Sequence, residues 1–161
     1  MFKRILFAAV GAIAAISIGA AGAYFTAQVQ VADSTIRAGS VAISTVPTTA
    51  PLAIDALAPG NTATRNMTVV NDGSLPSDVV LSIQKKAGIT DFYNALTVHA
   101  TCGDTVLYDG PMSEMKTTPV TLSPGARGDF RFDVGLPAES SNSLAQAYTK
   151  VSVYVDAEQT H

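Results

Sequence analysis

The sequence predicts an all-β fold: a jelly-roll-like antiparallel β-sandwich of about eight strands, preceded by an N-terminal signal helix. Three observations carry this. Short runs alternate apolar and polar residues, the period of a strand with one buried face. Clusters of Gly, Pro, Asn and Asp punctuate the runs every eight to twelve residues or so, the spacing of sandwiches and barrels. No stretch offers four helical turns with an apolar stripe, so no connection holds the crossover helix that a parallel sheet needs.

In chain order, Met1–Arg4 carries Lys3 and Arg4, and Ile5–Ala23 then runs nineteen residues without a charge, ending Ala21-Gly22-Ala23. A basic start, an apolar middle and small residues before the junction make a secretory signal peptide cut between Ala23 and Tyr24. A permanent anchor is the alternative, since nineteen apolar residues are long enough to span a bilayer. Either way the remainder is expected outside the cytoplasm, meeting the membrane only through an uncleaved leader. The expected organisation is residues 1–23 as signal peptide, 24–37 as an N-terminal strand and tether, and 38–161 as the sandwich domain.

In Tyr24–Ser44 the residues Phe25, Ala27, Val29 and Val31 share one side of an extended chain, with Thr26, Gln28 and Gln30 between them. Asp33-Ser34-Thr35 breaks the pattern, and a second run, Ser40–Thr45, follows Ala38-Gly39. Pro47–Pro59, with three prolines, reads as a loop with an extended patch near Leu52–Ile54. Thr62–Asn71 alternates, Asn71-Asp72-Gly73-Ser74 turns the chain, and Asp78–Lys85 aligns Val79, Leu81 and Ile83. These two runs form either an antiparallel pair or a bridge between two sheets.

Asp91–Ala95 suits one helical turn, Leu96–Thr101 and Thr105–Tyr108 are short strands about the Cys102-Gly103-Asp104 turn, and Pro111–Lys116 suits a brief helix. Val120–Leu122 is closed by Ser123-Pro124-Gly125. Asp129–Leu136 places Phe130, Phe132, Val134 and Leu136 on one face. Tyr148–Glu158 places Thr149, Val151, Val153 and Val155 on one face. These last two are the expected central strands.

Composition excludes several functions. Removing Lys3 and Arg4 with the leader leaves 8 basic residues against 13 acidic, a balance of −5 that argues against a nucleic-acid partner. The single cysteine, Cys102, excludes an internal disulfide. It reads as a small buried apolar residue, with an intermolecular disulfide or a reactive thiol as alternatives. Two histidines are present, His99 and His161. His99 lies three residues from Cys102, which puts the two on opposite faces of a strand and speaks against a Cys–His nucleophile pair.

No HExxH, GxSxG, P-loop or CxxC occurs. Asp129 and Asp133 flank Arg131 on a solvated strand surface. Asp72, Asp78, Asp104 and Asp109 fall in turns that suit oxygen ligation of calcium, but no twelve-residue calcium loop is present. The residues thus nominate no catalytic, cofactor-binding or metal-ligating group, and no enzyme is expected.

Several motifs, in order along essentially the whole chain, carry a resemblance to a family. AYFTAQVQVADSTIRAGSVAIS follows the leader, then come LAPGNTATRNMTVVNDGSLPSDVVLSI, LYDGPMSEM, TLSPGARGDFRFDVGLP and SNSLAQAYTKVSVYVDAEQ. The chain resembles the TasA/camelysin family of exported proteins with SipW-type signal peptides. The resemblance implies a jelly-roll sandwich and a subunit of extracellular biofilm-matrix fibres. Its partner would be itself, joined by an N-terminal strand inserted into the neighbour's sheet, after a signal peptidase of SipW type removes the leader. Phe25, Ala27, Val29 and Val31 would be the inserted side chains. One branch of that family is described as metalloproteases, and the histidine cluster such an activity needs is missing here. A non-polymerising surface adhesin, with Tyr24–Arg37 as an ordinary first strand or spacer, is the alternative.

Overall fold

The alternating runs fold into two antiparallel sheets that face each other across a single apolar core. The computed structural model describes residues 26–30, 37–38, 41–54, 57–144 and 146–160. The expected signal peptide, its cleavage junction Ala23/Tyr24, and Phe25 and Val31 lie outside the described residues.

The strands are β1 (Thr26–Gln30), β2 (Arg37–Ala38), β3 (Val41–Val46), β4 (Thr62–Asn71), β5 (Ser77–Gly88), β6 (Thr97–Cys102), β7 (Thr105–Pro111), β8 (Val120–Leu122), β9 (Arg127–Gly135) and β10 (Thr149–Gln159). One helical turn, α1 (Thr90–Ala95), precedes β6, and 3₁₀ turns occupy Met112–Glu114 and Asn142–Leu144. The first sheet runs β1-β10-β5-β8 and the second β2-β3-β4-β9-β6-β7. Among the described residues no helix is long and apolar enough to cross a membrane.

Period-two burial is clearest on β9, where Phe130, Phe132 and Val134 are buried while Asp129 and Arg131 face solvent. On the opposite sheet Val79, Leu81 and Ile83 of β5 meet Val153, Val155 and Ala157 of β10 in register. Burying each large side chain contributes about 1.5–3 kcal/mol, so these three strands carry much of the stabilisation. β9 lies between β4 and β6, and β10 lies between β1 and β5, so both have a hydrogen-bonded neighbour on each side.

The runs on either side of Asn71-Asp72-Gly73-Ser74 do not pair. β4 belongs to one sheet and β5 to the other, so the turn is a corner between sheets. Asn71 holds that corner. It is fully buried; its amide nitrogen donates to Leu75 O (2.8 Å) and Leu122 O (2.9 Å), and its Oδ1 accepts from Gly73 N (2.9 Å). Its backbone also bonds Ala126 and Gly125, tying the corner to the turn between β8 and β9.

Candidate functional site

Two places in the fold combine exposure with unusual geometry: the β1 edge of the first sheet, and the polar outer face of the second. β1 pairs antiparallel with β10 of its own chain, from Thr26 opposite Glu158 to Gln30 opposite Tyr154. Ala27 pairs with Ala157 and Val29 with Val155, and both of these β10 partners are buried in the core. Phe25 and Val31, the other two residues expected on that strand, lie outside the described residues.

β10 is longer than its partner. β1 pairs with its Tyr154–Glu158 half, while Thr149–Val153 pair with β5 and run past the end of β1. Beside this half of β10 lies a cavity of about 580 Å³, lined by Leu52, Leu57, Phe92, Leu136, Leu144 and Val151 among others. Its walls come from the loop before β4, from α1 and from the loop before β10. Arg65 fastens the first wall: its Nε donates to Ala53 O (2.6 Å) and its guanidinium also to Thr64 O (2.8 Å). The size lies within the range of preformed ligand pockets, roughly 300–1,000 Å³. The sequence marked Leu52–Ile54 as an extended patch, but nothing local indicated that its apolar side chains meet those of Leu136 and Leu144.

The second place is a ladder of polar side chains across β4, β9, β6 and β7. His99 pairs laterally with Asp133 on β9 and Asp109 on β7, and its Nδ1 lies 3.1 Å from Asp109 Oδ2. Asp133 is already committed: Thr64 Oγ1 donates to it (2.5 Å), as do Arg131 Nε (3.2 Å) and Nη2 (3.0 Å). Partial burial pushes the Asp133 carboxyl up, but the Thr64 and Arg131 hydrogen bonds, with the charges of Arg131 and His99, outweigh it and hold the group below the usual carboxylate range. Asp129 similarly accepts from Thr68 Oγ1 (2.6 Å). Cys102 packs partly against the core on the opposite side of β6 from His99, and burial raises its thiol pKa. A thiol so placed is a poor nucleophile at neutral pH.

The model of the family described as camelysin metallo-endopeptidase matches residues 1–98, a span that takes in β1–β5 and α1 and reaches the start of β6. No curated protein matches the chain. A metallo-endopeptidase needs a metal and its ligands. Here His99 has one aspartate within contact and a second that is held by Thr64 and Arg131, and among the described residues no group of three or more His, Cys, Asp or Glu side chains is placed to hold an ion. The residues present do not fit such a centre. The matched segment nevertheless holds the elements that set this fold, including the buried Asn71 of the Val70-Asn71-Asp72-Gly73-Ser74-Leu75-Pro76 corner, and more than half of the 161 residues. The chain belongs to the camelysin family.

Proposed function

We propose that this protein is a secreted structural subunit of extracellular matrix fibres, each subunit lending its N-terminal strand to the sheet of the next. The observation that carries the reading is the β1–β10 pairing. A five-residue strand sits at a sheet edge in register with the buried Val155 and Ala157 of β10, and β10 runs on past it beside an apolar cavity. Main-chain pairing at an edge is indifferent to which copy supplies the strand. A strand tethered at the start of its domain therefore exchanges between copies by the logic of domain swapping.

Apolar burial and ladder hydrogen bonds on one side, and the ordering of the strand on the other, are of similar size. Joining is then conditional, which suits a strand released only when the leader is cut at Ala23. The membership of the camelysin family agrees with an exported protein of this kind. Among the described residues, the polar ladder around His99 offers no metal-ligand set for a peptidase.

The competing reading is a monomeric adhesin or binding module, and the cis pairing of β1 with β10 of the same chain favours it. The two separate in one experiment. Purified Tyr24–His161 is imaged by negative-stain electron microscopy beside a variant lacking Tyr24–Asp33. The proposal expects fibres from the first and a folded monomer, by circular dichroism and sedimentation, from the second. Identical fibres from the truncated chain overturn strand exchange, and a monomeric mature chain at all concentrations and salt levels leaves the adhesin.

A further inference from the structure

The outer face of the first sheet carries charge in an arrangement that neither the fold nor the β1 edge requires. On β5 the outward positions run from Asp78 through Val80, Ser82 and Gln84 to Lys86. On β10 they run from Lys150 through the buried Ser152 and the half-buried Tyr154 and Asp156 to Glu158, Asp156 adding to the acidic end. The strands are antiparallel, so Asp78 pairs with Glu158 at one end, and at the other Lys150 pairs with Ala87, next to the bulged Lys86. The β1 positions in the same register, Thr26, Gln28 and Gln30, are neutral.

The face is therefore a dipole along the strand direction, and it is symmetric about its middle. Ser82 is four residues from both Asp78 and Lys86, Tyr154 is four from both Lys150 and Glu158, and Ser82 and Tyr154 are register partners. Lys86 also lies over the Tyr154 ring, 4.9 Å from its centroid, which fixes one cation on this face.

We infer that this face is a two-fold interface with a second copy of this chain. A two-fold axis lying in the interface, across the strands at the level of Ser82 and Tyr154, stacks β5 on β5 and β10 on β10 with their directions reversed. Lys150 of each copy then meets Glu158 of the other, and Lys86 meets Asp78 of the other once its ammonium swings off the Tyr154 ring and hydroxyl. One self-complementary patch thus makes four opposite-charge contacts, the isologous pattern of a closed pair. Lys116, bridged to Ser82 at the margin, meets its own copy near the axis and limits the affinity.

About nine residues each of β5 and β10, with five of β1 and three of β8 beside them, at ~3.3 Å along and ~4.8 Å across the strands, offer roughly 400 Å² per copy. That total of about 800 Å² lies below the standard size of specific interfaces and implies a weak, transient, salt-sensitive contact. In the proposed fibres this contact joins filaments side by side, and so rests on that reading for its setting, but the pairing itself does not depend on fibres.

The test is a zero-length carbodiimide cross-link between lysine and carboxylate on the mature chain, with isotopically light and heavy copies mixed and the products mapped by mass spectrometry. Eight residues of strand separate Asp78 from Lys86 and Lys150 from Glu158 within one copy, about 26 Å, so neither pair can join in cis. Light–heavy peptides joining Lys86 to Asp78 or Lys150 to Glu158 are expected, falling at least about 5-fold at ~0.5 M salt.

Reversing one end (Lys86→Glu with Lys150→Glu), or the other (Asp78→Lys with Glu158→Lys), weakens self-association about 10-fold or more, whereas mixing the two variants restores association. Restoration also shows that both variants fold. Absence of these cross-links, or reversal variants that associate as the parent does, overturns the interface. Fibres without the cross-links sink this inference alone, and cross-linked pairs without fibres sink only strand exchange.

Discussion

At the scale of single residues the corner between β4 and β5 depends on Asn71. A side chain with no exposed surface has three polar contacts to satisfy, and all three are with backbone groups of the corner and of β8. Asn71→Ala strands the carbonyls of Leu75 and Leu122 and the amide of Gly73 away from water. Each stranded buried group costs about 1–3 kcal/mol, with relaxation recovering part of the sum. The expected loss is about 2–4 kcal/mol, read as a lower urea midpoint with an unchanged slope. A loss under about 1 kcal/mol means that water replaces the amide, and the corner is then held by its backbone bonds. The residue was legible as a turn former but not as a buried clamp, because Asn suits both and only the proximity of Leu122, 51 residues away, separates the roles. Cys102 and His99 were legible as facing opposite ways, because alternation alone fixes that.

At the scale of elements, local pattern located most strands and left their partners open. The bounds of β4 and β8 coincide with the alternating runs Thr62–Asn71 and Val120–Leu122, and the helical turn and the 3₁₀ turn at Met112–Glu114 fall where short helices were expected. β5 extends to Gly88, past the end of its clear alternation, through a bulge in which its extra residue, Lys86, sits opposite Lys150/Val151 of β10. Pairing, not propensity, carries the strand through that irregularity. Sheet order, the corner and the cavity wall all arise from contacts distant in sequence, which a period of two cannot encode. Gly88 shows what the long-range contact demands. It has φ +97, and a Cβ there would lie 2.3 Å from Tyr148 O and 2.8 Å from Thr149 Cα. Both strain and overlap oppose a side chain, so Gly88→Ala is expected to cost about 3 kcal/mol or more and to open the start of β10 to hydrogen exchange. Gly103→Ala is the comparison: φ is +57 with open space around it, so only about 1 kcal/mol of backbone strain is expected. Equal losses at the two glycines would mean that β5 and β10 separate readily at this end.

At the scale of the whole molecule, the two proposed contacts between copies are expected to respond oppositely to salt. Without Lys3 and Arg4 the chain carries a balance of −5, so copies joining end to end through the β1 edge, as proposed, would repel on approach. The outer face of the first sheet has Lys86 and Lys150 toward one end and Asp78 and Glu158 at the other, so copies paired there as inferred would attract. Screening lengths shrink from about 30 Å at 0.01 M to about 8 Å at 0.15 M and 3 Å at 1 M. Added salt therefore removes the general repulsion that slows strand exchange, and also removes the attraction that holds two faces together. Filaments grown from the mature protein at about 0.5 M salt are expected to be longer and single, and those grown at about 0.02 M shorter and paired, measured as contour length and width on the same electron micrographs. Replacing Lys86 and Lys150 with Glu abolishes pairing at low salt and leaves the salt dependence of length in the same direction. Length and width that rise together with salt would show that one contact governs both, and the division of labour between the β1 edge and the charged face would fail.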